Sequence, residues 1–478
     1  MSGDGKRSRL RTLLVLAWPV VLSRSAQAVI GFCDALMTAP LGEDAVAAST
    51  TGSLNTFTML ILPMGVVFIV QSFAAQYGSK GDLASARRYG WYGLILAAVA
   101  GLFAAAVIPL VELALSPMAY SANVKALMGD YIEIRLLSVM AVVGFEAIGN
   151  WYGGLGNTRI QMIGSLVMMV LNVALNALLI QGRLGLPALG VSGAAWASVF
   201  STWVAFALVA ALFVRGWGSA LATDASAAHE PAPNIEPAPE RPLPAPELGL
   251  DPRKLRPSEF VRMLRFGLPS GLNWFMEFAA FLFFIDVVVA KIGTTTLAAL
   301  MIVFQVNSVS FMPSFGLSSS GAILAGQAVG RDEHDEVPGI LRMTMATAAL
   351  WQGCVGLLYL AFPAVIMAWF TPAGQDTSAL VSVGAPLLAL SAVWQLFDAA
   401  GISLNETLRA AGDTLWTMWA RLGLAWALFV PTSYLAVGHF EGGGLAAIAC
   451  LATYLAALAG VLALRFRAGA WRSIQMTE

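Results

Sequence analysis

Three carboxylates interrupt long apolar stretches of this sequence. Asp34 lies in "PVVLSRSAQAVIGFCDALM" (19–37), Glu277 in "PSGLNWFMEF" (269–278) and Asp398 in "AVWQLFDAAGISLNETLRAAGDT" (392–414). A charged aspartate near the centre of a membrane helix costs about 2.5–3.5 kcal/mol on insertion scales, so such residues face a cavity or a partner. Two chemistries suit them. A carboxyl taken out of water holds a proton more readily, and a carboxylate set among neutral oxygens binds a hard cation such as sodium. The residue types leave both open.

Other polar groups accompany them. Asn172 and Asn176 in "VLNVALNALL" (170–179) are four apart and share one helix face. With Asp34 they could form a polar cluster in the first half of the chain; interhelical hydrogen bonding is the competing role. Asp286 follows Glu277 by nine residues, on roughly the opposite helix face and close to Lys291, which places it near the outer interface. Glu146, Gln305 and Gln27 are further polar positions. Glu406, beside Arg409, reads as a surface ion pair at a cytoplasmic helix end. The histidines His229, His334 and His439 fall in loops. Cys33, Cys354 and Cys450 fall in apolar segments, with no metal or disulfide spacing.

The elements that must position these groups are membrane spans. Charged residues make up 12% of the chain and hydrophobic ones 58%, with a mean hydropathy of +0.74. A soluble domain carries about 25% charged residues, so this is an integral membrane protein. Spans of about 20 apolar residues are expected near 12–38, 50–76, 89–113, 128–152, 160–181 and 189–214, then 264–290, 297–325, 341–369, 380–404, 414–437 and 443–465. With both termini cytoplasmic, the inner segments and their flanks hold 22 of the 27 Lys and Arg; the outer side holds only Lys125, Arg183 and Lys291, and Arg24 and Arg135 lie in or near spans. That asymmetry obeys the positive-inside rule. The N-terminal "KRSRLRTLLVLAWPVVLSRSAQA" has the outline of a signal peptide, but apolar sequence continues to Ala39 and the pattern recurs 250 residues later, so an uncleaved first span is expected.

The spans fall into two copies of one unit. Pro19 pairs with Pro269, Gly42 with Gly293 and Gln76 with Gln327, at offsets of 250 or 251, and "GLGNT" (154–158) answers "RAAGDT" (409–414). Each copy has six spans and starts on the same side. Such parallel repeats enclose a central cavity and rock against each other to give alternating access. The expected organisation is a first lobe at 1–221, a Pro/Ala/Glu-rich cytoplasmic linker at 222–259 and a second lobe at 260–478. With 14 Trp, 25 Phe and 19 Met, the chain can line a bulky apolar cavity with adaptable side chains.

No phosphate-binding Walker loop, zinc pair or GxSxG motif is present, so neither an enzyme nor an ATP-driven pump is expected, and no cofactor. The intramembrane carboxylates point instead to coupling with an ion gradient. No filter-like loop suggests a channel. A major-facilitator antiporter and a lipid-linked precursor flippase are the alternatives. "GSKGDLASARR" (78–88) faintly echoes the basic loop of the former, and the few intramembrane cations disfavour the latter.

The proline-to-carboxylate spacing in spans one and seven, together with "GLGNTRIQMIGSLVMMVLNVALNALLIQGRLGLPALGVSGAAWAS" (154–198) and "WQLFDAAGISLNETLRAAGDT", resembles the NorM-like branch of the multidrug and toxic compound extrusion (MATE) family. The resemblance implies twelve helices in two pseudo-symmetric six-helix bundles and cation-driven export of bulky, mostly cationic organic compounds. It carries the coupling-ion role, for H+ or Na+, to Asp34, Glu277 and Asp398, with Asn172 and Asn176 beside Asp34, and pairs Asp398 with Glu277. Gln305, Trp394, Gln27 and Asp286 become additional cavity positions. Trp394 stands where the family pattern has tyrosine, and Arg24 in span one is a further departure. A monomer in the inner membrane of a prokaryote, with no nucleic-acid partner, is the implied setting.

Overall fold

A computed structural model describes residues 3–118, 120–185, 187–218, 255–369 and 378–477, and the secondary structure among these is helical, with no strand. Most of the expected linker, 222–254, lies outside the described residues. The first bundle holds α1 (Gly3–Thr38), α2 (Glu43–Val67, resuming as Ile69–Ser79), α3 (Leu83–Val107), α4 (Ala122–Leu136 and Val139–Gly154), α5 (Thr158–Leu179) and α6 (Gly190–Val214). The second holds α7 (Pro257–Phe283), α8 (Thr294–Gly330), α9 (Val337–Ala361), α10 (Ser378–Ala410), α11 (Thr414–Gly423, continuing to Val430–Gly438) and α12 (Gly443–Arg467).

Among the described residues, eleven helices are long and apolar enough to span a membrane. The exception is α4, expected as one span over 128–152. It turns at Leu137 and Ser138, whose amides bond to carbonyls three residues back, and the Ser138 hydroxyl donates to the Arg135 carbonyl at 2.7 Å. A serine hydroxyl that takes up a nearby carbonyl offers the backbone an alternative to the helical ladder. The expected span 341–369 likewise ends at Ala361, and Pro363–Trp369 forms a separate short helix.

The repeat is three-dimensional. α1 packs on α5 and on α8, α3 on α4, α4 on α6 and α5 on α6. Moving each label six helices along gives α7 on α11 and on α2, α9 on α10, α10 on α12 and α11 on α12, and all of these contacts exist. The bundles therefore meet through two equivalent seams, α1 with α8 and α2 with α7. Local geometry repeats as well. Gly42 before α2 has φ +106° and Gly293 before α8 has φ +125°, a region open to glycine and closed to side chains with a Cβ. Pro63 and Pro313, a further pair at offset 250, both lie inside helices. At the α2–α7 seam, a Cβ on Gly65 would stand 2.7 Å from the Gly271 Cα, so the two backbones touch. Small residues permit this close approach between membrane helices.

Candidate functional site

In the first bundle, α1, α5 and α6 converge on Asp34. Asn176 Nδ2 donates to its Oδ1 at 2.5 Å and Ser198 Oγ to its Oδ2 at 3.2 Å. Asn172 donates to Ser198 at 3.1 Å and accepts from Asn176 at 3.1 Å. Both asparagines are fully buried, whereas Asp34 is half-buried. The carboxylate is thus held by neutral donors and can change its charge without breaking an ion pair. The spacing of Asn172 and Asn176 anticipated this face; Ser198 was missed. Its signal was the run of small hydroxyl residues Ser198, Ser201 and Thr202 in an otherwise apolar helix, the composition of a helix–helix contact.

Deeper in the same bundle lies a second polar group. Arg24 grips Glu146 with both guanidinium ends, Nη1 to Oε1 at 2.9 Å and Nη2 to Oε2 at 3.0 Å. Gln27 and Gln161 donate to the same carboxylate at 3.0 and 3.4 Å. Gln27 is therefore a partner of this pair. The guanidinium also lies 5.7 Å from the Phe68 ring and 5.4 Å from the Phe315 ring of α8. Phe68, Trp274, Phe311, Phe315 and Ile402 form an aromatic cluster between the bundles. The unexpected Arg24 is the cation that faces this cluster.

In the second bundle the two expected carboxylates lie in one electrostatic cluster and have separate partners. Glu277 of α7 is ion-paired with Arg421 of α11, and Asp398 of α10 accepts from Gln352 Nε2 of α9 at 3.3 Å. No hydrogen bond joins the two carboxylates. Arg421 interacts electrostatically with both, and the phenol of Tyr454 on α12 lies within the same field. By sequence, Arg421 counts with the cations flanking a loop, yet its side chain is 7% exposed. The π-helical turns at Phe284–Val288 and Leu424–Phe429 interrupt the two helices that carry Glu277 and Arg421, and π-bulges are frequent at functional sites.

The remaining expected positions are scattered. Trp394 is buried and stacks on Phe304 with centroids 6.3 Å apart. Gln305 and Asp286 are exposed on their helices. A polar group not anticipated from sequence joins Asn307, Ser391 and Gln395 through bonds of 3.1 Å. Glu406 and Arg409 are not at the surface. They pair at 2.5 Å with side chains 1% and 4% exposed, and Arg409 crosses to the other bundle to bond the Phe68 carbonyl at 2.5 Å and Gln71 Oε1 at 3.0 Å. Their position near a helix end suggested solvent, but α2 packs over that end. Among the described residues, no group of three or more His, Cys, Asp or Glu side chains is placed to hold a metal ion.

Two six-helix bundles of membrane-spanning helices related by a repeat have the architecture of a membrane transporter. The MatE family model matches residues 19–178 and 269–435, and the chain belongs to that family. Curated relatives include the probable multidrug resistance protein NorM of Agrobacterium fabrum, 26% identical over 92% of both chains. Its counterpart from Pseudomonas putida is 27% identical over 97% of this chain and 95% of its own. Among solved structures, a multidrug resistance MATE family transporter described as outward-facing superposes with a TM-score of 0.82, covering 99% of this chain and 100% of its own at 17% identity. A transporter of the MOP superfamily from Pyrococcus furiosus does so at 0.81, with the same coverage and identity. Family membership removes the major-facilitator alternative.

Proposed function

We propose that this protein is a multidrug exporter that moves bulky, mostly cationic organic compounds outward in exchange for H+ or Na+ by alternating access. Residues 1–221 and 260–478 are the moving lobes, and 222–259 is a cytoplasmic tether. Both termini face the cytoplasm of a bacterium, the chain sits in the inner membrane, and it works as a monomer. The NorM names of its relatives support the substrate class.

The observation that carries the reading is where the lobes are joined. Bonds between them gather at the end that holds both termini: Gln76 to Ala410, Arg409 to Phe68 and Gln71, and Gln327 to Gly154. Towards the other end the seam carries the ring contact of Phe57 with Phe278, centroids 5.3 Å apart. A lock at one end and an apolar seam at the other suit a molecule poised to open outward. Ions reaching Asp34, Glu277 or Asp398 from that side would change the charge of each lobe separately, and such a change can bias a rocking equilibrium between two states.

The test is ethidium transport by the full chain in proteoliposomes. Uptake or release should follow an imposed H+ or Na+ gradient and stop when an ionophore collapses it. Transport indifferent to both gradients would overturn the reading.

A further inference from the structure

We infer that Arg421 is a tethered cation that makes the second-lobe site selective for protons over sodium; the inference rests on the antiport reading above. Glu277, Asp398 and Arg421 together carry one net negative charge when both carboxyls are ionised. Arg421 is buried and stays protonated, because a guanidinium does not deprotonate in proteins. Its bond to Glu277 commits that carboxylate. Asp398 is left with one neutral donor, Gln352.

A proton suits this arrangement. On Asp398 it forms an O–H bond and brings the cluster to zero net charge while the Arg421–Glu277 pair stays intact. Gln352 Oε1 is buried without a donor. A rotated Gln352 amide would present that oxygen to the acid just as it now presents Nε2 to the carboxylate, since amide O and N are interchangeable in shape. The Tyr454 hydroxyl, 4% exposed and without a hydrogen-bond partner among the described residues, is a second buried polar group in the same field. The charged and titratable groups facing Asp398 are Glu277 from α7, Arg421 from α11 and Tyr454 from α12; α8 has no ionisable side chain, and α9 offers neutral Gln352.

A sodium ion fits poorly. Hard cations need several oxygen ligands, and one of the two carboxylates already serves the guanidinium. The guanidinium presents only N–H donors and no lone pair. Its fixed charge also repels a second cation in a low-dielectric site. The single negative charge of the deprotonated cluster then matches either one proton or one organic monocation, which is the competition an antiporter requires.

Two readouts test this on the full-length protein. The first is the melting temperature in NaCl against choline chloride at fixed pH, because a ligand that binds the folded state raises it. The second is ethidium flux in proteoliposomes under a pH gradient or a sodium gradient alone. Wild type should melt alike in both salts and respond to the pH gradient. Arg421→Gln should lose the pH-driven flux at least tenfold and gain several degrees of stabilisation from sodium, whereas Arg421→Lys, which keeps the charge, should retain the wild-type ion preference. Sodium-stabilised, sodium-driven wild type would overturn the Arg421 assignment and leave the antiport reading standing. So would a sodium response in Arg421→Lys, which also serves if the glutamine variant does not fold. Wild type that transports under neither gradient, while Arg421→Gln still gains sodium stabilisation, would overturn antiport and leave Arg421 as the group that excludes sodium.

Discussion

Gln76 and Gln327 make the same bond twice. Gln76 Nε2 on α2 donates to the Ala410 carbonyl at the end of α10 at 2.8 Å, and Gln327 Nε2 on α8 donates to the Gly154 carbonyl at the end of α4 at 3.2 Å. Each bond runs from one lobe to the other, and the repeat converts one into the other. The turns that follow the two acceptors also match, with φ +87° at Gly156 and +90° at Gly412. A pair of clasps related in this way closes the termini-bearing end symmetrically.

Removing both clasps should favour opening at that end. A hydrogen bond contributes about 0.5–1.5 kcal/mol net, so Gln76→Ala with Gln327→Ala should raise the ratio of open to closed forms roughly tenfold. Spin labels on Lys80 and Asp335, read by double electron–electron resonance, would measure it. An unchanged distance distribution would remove the clasps from the account.

The Arg24–Glu146 pair predicts an asymmetry between single and double changes. Glu146→Leu alone leaves a buried guanidinium uncompensated, and breaking a buried pair from one side costs about 3–5 kcal/mol. Arg24→Met with Glu146→Leu removes both charges and should cost less than half as much. Thermal unfolding in detergent would show this as a larger drop in melting temperature for the single variant.

At the α2–α7 seam, a Cβ on Gly271 would stand 2.6 Å from the Leu62 carbonyl oxygen. Gly271→Ala should therefore destabilise the protein by about 1–3 kcal/mol, the usual range for overpacking. Gly460→Ala, where no atom lies within 4 Å of the added carbon, should be neutral or slightly stabilising. Equal melting temperatures for the two variants would contradict the close-packed seam.

In the first lobe, Ser198→Ala removes one of the neutral donors to Asp34. Gradient-driven ethidium flux should fall a few-fold, while Asp34→Asn should fall much further. Comparison of initial rates at matched protein density checks this, and a Ser198→Ala loss equal to that of Asp34→Asn would mean that Ser198 does more than orient the carboxylate.

Much of the fold was legible because membrane helices announce themselves through long apolar runs and loop charge, and because Pro19, Gly42 and Gln76 recur in order in the second half. The break in α4 was not legible, since Ser138 competing for a carbonyl leaves hydropathy unchanged. The Asp34 cluster was partly legible, because Asn172 and Asn176 share a face within one helix. Arg421 and Arg409 were not. Each sits within two turns of a helix end, where positive charge ordinarily marks a loop, and only the packing of α7, α10 and α2 around those ends buries them.

The central claim is that intramembrane carboxylates in both lobes couple an ion gradient to export. Its most direct measurement is ethidium flux in proteoliposomes under an imposed gradient, for wild type beside Asp34→Asn, Glu277→Gln and Asp398→Asn. The account predicts gradient-driven flux in wild type and a loss of at least tenfold in the variants. Undiminished gradient-driven flux in all three variants would contradict it.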